Sequence, residues 1–376
     1  MGIILPMKIA VALSGGVDSA VAAYLLKQAG HDIFGLFMKN WEEKDDEGHC
    51  ISEKDFHDVI AICNVLNIPY YSVNFSKEYF ENVFSLFLED LKQGFTPNPD
   101  VLCNREIKFK VLFEKALTLG ADALATGHYC RTKNGQLMKG LDSSKDQSYF
   151  LCSVNKDVLK STLFPVGHIV KSRVRDIAKK ANLPVFDKKD STGICFIGKR
   201  PFKNFLETYL PHQPGEIKTI DGKVVGRHSG AYYFTIGQRK GMEIGGPGDA
   251  WFVVGKNIET HTVIVAQGKN HPALFSYSLI ASDLSWVETA PSFPFTCRAK
   301  IRYRQHEEPC RVEKYDAKRV LVTFKKPQRA ITPSQSVVFY DGEVCMGGAM
   351  IESAGPSLYQ ASSTHGKDFL DLGFVE

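Results

Sequence analysis

From Lys8 to Thr126 the chain alternates short apolar runs with stretches whose apolar residues recur at helical spacing, the pattern of βα units on a parallel sheet. Lys8 to Leu13 is almost continuously apolar and predicts a strand buried on both faces. Val17, Ala20, Val21, Tyr24 and Leu25 then predict a helix, and Ile33 to Met38 a second strand. Ser52 with Asp55 predicts the N-cap of a helix that buries Phe56, Val59, Ile60 and Cys63. Pro69 to Phe75 is the next strand; Phe80, Val83, Phe84, Phe87, Leu88 and Leu91 share one strongly apolar helix, which Gly94 ends. Ala123 to Thr126 predicts a further short strand.

Beyond Thr126 the simple repetition stops. Asn134-Gly135 is a hairpin signal, and Ser172 to Asn182 predicts a helix with Val174, Ile177, Ala178 and Ala181 inward. The first domain, residues 7–210, is expected to close near Tyr209-Leu210-Pro211. After it, Gly and β-branched residues increase and helical periodicity fades, so residues 211–270 are expected to form a small, mainly β connecting domain. Short alternating strands from Ser276 to Glu352 predict a C-terminal β-barrel, assigned to 271–355, and 356–376 reads as a mobile tail. The expected class is α/β, a parallel-sheet domain followed by two β domains.

The composition, 44% hydrophobic and 23% charged over 376 residues, is that of a soluble globular chain with room for about two or three domains. No apolar run approaches the roughly 18 residues that span a bilayer, and Met1 to Pro6 is too short for a signal peptide, so a cytoplasmic protein is expected. The nine cysteines contain no CxxC pair, which argues against a secreted disulfide framework and a CxxC-paired zinc site. Net charge is only +4, yet residues 296–330 hold 11 Lys or Arg against 4 Asp or Glu. A polyanion would meet that segment first. Within it Arg298, Lys300, Arg302 and Arg304 alternate, which on a strand puts four cations on one face.

Ser14-Gly15-Gly16-Val17-Asp18-Ser19 lies between the first strand and the first helix, where open α/β sheets bind ligands. Small residues there let backbone N–H groups approach phosphate oxygens, the helix N-terminus favours anions, and Asp18 could hold a magnesium ion. A bare Gly-Gly turn could equally be a tight capped connection. The six residues together resemble the PP-loop, SGGxDS, of the N-type ATP pyrophosphatases, which cleave ATP between the α and β phosphates to adenylate a carbonyl. No Gly-Lys-Ser/Thr follows, so this is not a Walker A loop. The resemblance implies a Rossmann-like PP-loop domain, nucleotide contacts from Ala12, Leu13, Ser14, Gly15, Gly16, Val17, Asp18 and Ser19, and Met38 and Gly127 bordering the adenine and ribose.

Two cysteines narrow the choice. Cys103 follows Asn98-Pro99-Asp100-Val101-Leu102 in a proline-stiffened loop ahead of an amphipathic helix expected over Arg105 to Leu119, near a helix N-terminus that favours thiolate. Cys195, in Ser191-Thr192-Gly193-Ile194-Cys195-Phe196, would on its own read as a buried core thiol. Taken with Thr126-Gly127-His128-Tyr129, Lys145 to Leu151, Gly237 to Gly241, Arg302-Tyr303-Arg304 and Pro333 to Tyr340, these segments resemble the tRNA-specific 2-thiouridylases, a PP-loop family.

That resemblance implies an ATP- and Mg2+-dependent sulfurtransferase that adenylates the 2-carbonyl of the anticodon wobble uridine and replaces its oxygen with sulphur. Cys195 would carry the sulphur as a persulphide and Cys103 would be the second catalytic cysteine, whether it acts before or after attack on the base. It further implies tRNA contacts by Asn98, Pro99, Asp100, His128, Lys145, Asp146, Gln147, Arg302, Tyr303 and Gln335. Expected partners are tRNAs for lysine, glutamate and glutamine and a cysteine desulphurase or sulphur-relay protein, with the chain a monomer. The competing readings are another PP-loop adenylating ligase or amidotransferase, which needs neither paired cysteines nor a basic β domain, and a non-catalytic RNA-binding module.

Overall fold

The computed structural model describes residues 6–41, 51–190 and 202–363. Strand β1 (Lys8–Leu13) buries Ile9, Ala10, Val11 and Leu13 because helices cover both faces of its sheet. It is followed by α1 (Val17–Gln28), β2 (Asp32–Lys39), α2 (Ile51–Leu66) and β3 (Tyr70–Asn74). Helix α2 already runs at Ile51, one residue ahead of the expected cap, and buries Val59, Ile62, Cys63 and Leu66; Phe56 and Ile60 are half-buried. The side chain of Ser52 lies outside the described residues.

The apolar helix runs as α3 (Ser76–Tyr79), a π-helical turn at Phe80–Phe84 and α4 (Ser85–Lys92), and ends near Gly94, whose φ of +83° suits glycine. The next helix starts earlier than expected. Asn98 caps it by accepting the Asp100 N–H at 3.2 Å, and Pro99 takes the first helical position, where its missing N–H costs nothing. From α5 (Pro99–Leu102) the chain continues through a π-helical stretch, Cys103–Leu112, into α6 (Phe113–Thr118). Cys103 is therefore one turn inside a helical run rather than in the loop before it.

The domain continues with β4 (Ala123–Ala125), the hairpin β5 (Cys130–Lys133) and β6 (Gln136–Lys139), α7 (Lys156–Lys160), β7 (Thr162–Leu163), α8 (Lys171–Lys180) and α9 (Phe202–Leu206). Asn134 and Gly135 both take positive φ, 55° and 82°, as a two-residue hairpin turn requires. The parallel sheet runs β3-β2-β1-β4-β7. The order turns back at β1, so a crevice opens between the ends of β1 and β4. Helices α1 and α8 share the core on one face, with Val21, Ala22, Val174 and Ala178 buried in it.

Strands β8 (Gly215–Thr219), β9 (Val224–His228), β10 (Trp251–Asn257) and β11 (Thr262–Gln267) form the middle sheet around Ile217, Val253, Val263 and Val265. The last domain comprises β12 (Phe275–Trp286), β13 (Phe295–Lys300), β14 (Glu308–Lys314), β15 (Val320–Arg329), β16 (Ser336–Asp341) and β17 (Val344–Ala354), closed into a six-stranded barrel by the β12–β17 pairing. Both faces of β16 are buried: Val337 and Phe339 fill the barrel, while Val338 and Tyr340 join a core with Tyr149, Cys152 and Phe164 of the first domain. Hairpin strand β6 also pairs with β17 at Leu137 and Met138, extending the barrel sheet. Part of the expected tail is ordered as α10 (Leu358–Ser363), with Tyr359 against His271 at 5.7 Å.

Candidate functional site

The PP-loop occupies the crevice at the end of β1. Gly15 has φ +70° and runs so close to α2 that a Cβ there would lie 2.6 Å from the Asp55 carbonyl oxygen, so only glycine fits. Gly16 is the N-cap of α1 and offers no side-chain bond to the first N–H groups, which leaves the positive end of that helix available to an anion. Ser19 Oγ donates to the Gly16 carbonyl at 3.1 Å and lies 3.3 Å from both the backbone N and Oγ of Ser14, which sets the curve of the loop. Gly127, following β4, packs against the start of α1: a Cβ would be 2.7 Å from the Ser19 nitrogen. Ala12 and Leu13 complete β1 below the loop, Val17 anchors α1 in the core, and Met38 is half-buried at the end of β2.

Asp18 is gripped. Each of its carboxylate oxygens accepts from Lys171 Nζ at 2.7 Å, and Oδ1 also accepts from the Tyr129 hydroxyl at 2.7 Å. Burial, and then the neighbouring Asp18 charge, push the Tyr129 pKa up, so its hydroxyl remains a donor. Lys171 is buried at the first position of α8 and also reaches Asp190 at 2.8 Å. Asp190 in turn pairs with Arg175 at 2.6 Å and Lys145 at 2.8 Å. Burial alone would raise its pKa, but the bonds from Lys145 and Lys171 outweigh that and hold it at about 2. Beside this chain, Lys188 donates to the Gly15 carbonyl at 3.0 Å, to Asp55 at 2.8 Å and to Asp58 at 2.6 Å, tying the loop to α2. Its burial would lower its pKa, and the two carboxylates raise it instead.

Sequence patterns did not single out Lys171, Asp190, Lys188 or Arg175, because a polar residue at a helix start or in a loop carries no periodic signal. Tyr129 lay inside a matched motif without a role. The group can bind and orient phosphates: an open helix N-terminus, a small-residue loop and a buried ammonium held between two carboxylates. Among the described residues no cluster of three His, Cys, Asp or Glu could by itself hold a metal. A single carboxylate completed by phosphate oxygens and water is a donor set that suits magnesium, and Asp18 would meet the ion through Oδ2, which accepts from Lys171 alone.

Cys103 is buried, 1% exposed, among Tyr79, Phe84, Phe87, Ile107 and Phe205. Cys195 lies outside the described residues, as do Ser191 to Phe196. Ahead of Cys103, Pro99 is buried and burial raises the Asp100 carboxyl pKa, with Lys108 opposing. The segment before them is latched to the barrel, since the Thr96 N–H donates to the Pro333 carbonyl at 3.2 Å and Gln335 Nε2 donates to the Thr96 carbonyl at 2.6 Å. Tyr149 reaches across the same seam to the Ser336 carbonyl at 2.8 Å.

The other expected RNA contacts converge on this seam, several with their polar atoms already engaged. His128 bonds Thr126 at 2.8 Å and packs against both Phe109 and Phe164, which also touch each other; burial, then Lys108, lower its pKa, so the ring is neutral at pH 7. Gln147 accepts the Tyr129 N–H at 2.9 Å. Asp146 is buried, accepts from Gly140 N at 3.0 Å and Ser148 Oγ at 3.0 Å, and pairs with Lys300 at 3.5 Å. Tyr303 packs against Phe150 with its ring tilted, 4.4 Å between centroids, and donates to the Lys145 carbonyl at 3.4 Å. The alternating cations do not share one strand face: β13 ends at Lys300, and Arg302 turns inward, donating to the carbonyls of Ile236 at 2.9 Å and Ala330 at 3.1 Å and to Thr332 Oγ1 at 2.7 Å. Arg298 and Lys300 find Glu307, and Arg304 is exposed.

Three family models match in succession: the tRNA methyl transferase HUP domain over residues 7–199, the tRNA methyl transferase PRC-barrel domain over 203–267 and the aminomethyltransferase beta-barrel domain over 276–351. The chain is 55% identical over 356 residues to a tRNA-specific 2-thiouridylase MnmA of Protochlamydia amoebophila, covering 93% of this chain and 95% of that one. It is 54% identical over 351 residues to the protein of that name from Exiguobacterium sibiricum, covering 92% and 94%. Against the Bacillus subtilis protein it is 51% identical over 351 residues, covering 92% and 95%.

Proposed function

Since the chain belongs to the tRNA-specific 2-thiouridylase family, we propose that its PP-loop crevice activates the wobble uridine of tRNA with ATP, and that Cys103 and Cys195 deliver the sulphur. The reaction is a tRNA-uridine 2-sulfurtransfer yielding 2-thiouridine, AMP and pyrophosphate. The observation that carries the reading is the Lys171 ammonium against both oxygens of Asp18 beside the uncapped start of α1.

A uracil 2-carbonyl is urea-like and a poor electrophile, so its oxygen must first become a leaving group, which AMP provides. The α1 N–H groups and the PP-loop backbone hold phosphate oxygens, and Lys171 supplies fixed positive charge where charge develops on the departing pyrophosphate. Asp18 would hold magnesium, which would supply charge neutralisation at the phosphates when bound. Tyr129 orients the Asp18 carboxylate through its hydroxyl. Asn98, Pro99 and Asp100 border the target base, and His128, neutral and packed beside Phe109 and Phe164, is a further RNA contact. The persulphide on Cys195 supplies the sulphur that displaces AMP from the activated carbon, and a thiolate from Cys103, acting before or after that attack, breaks the sulphur–sulphur bond and leaves a Cys103–Cys195 disulfide that a reductant reopens. Burial of Cys103 keeps that thiol from water until the site is used. The substrates are tRNAs for lysine, glutamate and glutamine in the cytoplasm, the donor is a cysteine desulphurase or a relay protein, and the chain acts as a monomer. No helix among the described residues is long and apolar enough to cross a membrane.

Asp18→Ala tests the reading: tRNA-dependent pyrophosphate release should vanish while tRNA affinity changes less than about twofold, a difference below ~0.5 kcal/mol. Surviving pyrophosphate release would move the nucleotide site elsewhere.

A further inference from the structure

The segment Gly237-Gln238-Arg239-Lys240-Gly241 of the middle domain, between β9 and β10, contributes to the family resemblance but has no role in the mechanism above. It lies where the three domains meet. Thr235 Oγ1 is 3.5 Å from Thr96 Oγ1, two residues ahead of Asn98 in the target-base segment. The Ile236 carbonyl accepts from Arg302 at 2.9 Å. Gly237, at φ +84°, presses on the barrel so closely that a Cβ would sit 2.7 Å from Ala330 Cβ and 3.3 Å from Arg329 Nη1.

The loop is also internally braced. The Gly237 N–H donates to the Val253 carbonyl at 2.8 Å and the Val253 N–H returns to the Gln238 carbonyl at 3.0 Å. The Gln238 side chain closes both ends, accepting from the Thr235 N–H at 2.9 Å and donating to the Lys240 carbonyl at 2.9 Å. On this brace Arg239 and Lys240 stand exposed, and among the described residues no carboxylate forms an ion pair with either. The cations beside them, Arg302 and Arg329, bond carbonyl oxygens rather than acids. Bracing stabilises any surface turn, and here it also fixes where these two cations stand. A loop that must meet a polyanion gains from this, because charges held in place lose little freedom on binding.

We propose that Gly237–Gly241 is an RNA-backbone clamp in which Arg239 and Lys240 take phosphates flanking the target base, so that the middle domain is part of the tRNA-binding surface. The inference rests on the tRNA reading above and adds a contact that reading does not need. Full-length Arg239→Gln/Lys240→Gln protein is compared with wild type and with Lys179→Gln/Lys180→Gln, which removes the same charge from the far end of α8. Binding of fluorescent tRNA is measured against salt concentration. Two lost phosphate contacts should lower the log–log salt slope by roughly 1.4 to 1.8, with the α8 variant unchanged. Gln238→Ala, which keeps both charges and removes the brace, should weaken binding with little change of slope. A loop variant that matches the α8 variant in slope overturns the clamp, as does wild-type protein that binds no tRNA. Wild-type protein that binds tRNA with the expected slopes but makes no 2-thiouridine removes the thiolation reading and leaves the clamp standing.

Discussion

Lys171 reaches both carboxylate oxygens of Asp18 at 2.7 Å, although 153 residues separate them in sequence. The contact joins the start of α8 to the start of α1 across the crevice between β1 and β4, and Asp190 holds the same ammonium from the other side at 2.8 Å. A cation paired with two carboxylates is stable in the resting protein and ready to meet phosphate oxygens when they arrive. The PP-loop supplies backbone donors; Lys171 supplies the cation.

Lys171→Met should therefore lower tRNA-dependent AMP formation by about 100-fold or more, the usual effect of removing one stabilising group from a charged transition state. It should also destabilise the fold by leaving the half-buried Asp18 without its cation. A cycle with Asp18→Asn, followed by urea unfolding, should return a coupling energy of ~1–3 kcal/mol. Additive losses would mean that the contact holds nothing together.

Acid stability offers an independent check on the same chain of charges. The Asp190 pKa is lowered from 3.8 to about 2, so its contribution is present above 3.8 and is lost as pH falls through about 2. The difference in stability between wild type and Asp190→Asn should be constant at neutral pH and shrink across that interval. Equal acid unfolding profiles for the two proteins would detach Asp190 from Lys145 and Lys171.

Local patterns carried much of this protein. Continuous apolar runs located β1 and β2, Asn134-Gly135 located the hairpin, and the six residues of the PP-loop placed themselves at the sheet edge. Pairings over long separations were not legible. Lys171, Asp190 and Lys188 are ordinary polar residues until the fold brings them to Asp18 and Gly15. Arg302 misled for the same reason: alternation suggested one basic face, but the strand stops at Lys300 and the guanidinium instead bolts the barrel to the Ile236 carbonyl. The helix before Cys103 starts earlier than its apolar spacing predicts because Asn98 and Pro99, which read as loop residues, are its cap and first position.

The two cysteines should separate by experiment. Cys195→Ser should still form AMP with tRNA but take up no labelled sulphur from a desulphurase. Cys103→Ser should accumulate persulphide on Cys195 without turning over, because no thiol resolves it. Oxidised wild type should yield one Cys103–Cys195 cross-linked peptide in a non-reducing digest. Labelled persulphide on Cys103 in the Cys195→Ser protein would reverse the two roles.

The most direct measurement is mass spectrometry of the wobble nucleosides of tRNA from cells with and without this protein. Loss of the protein should remove the 2-thio group from wobble uridines of the lysine, glutamate and glutamine tRNAs, and the purified protein with ATP and a sulphur donor should restore it with one AMP per sulphur. Unchanged 2-thiouridine in cells lacking the protein, or restoration that consumes no ATP, would contradict the account.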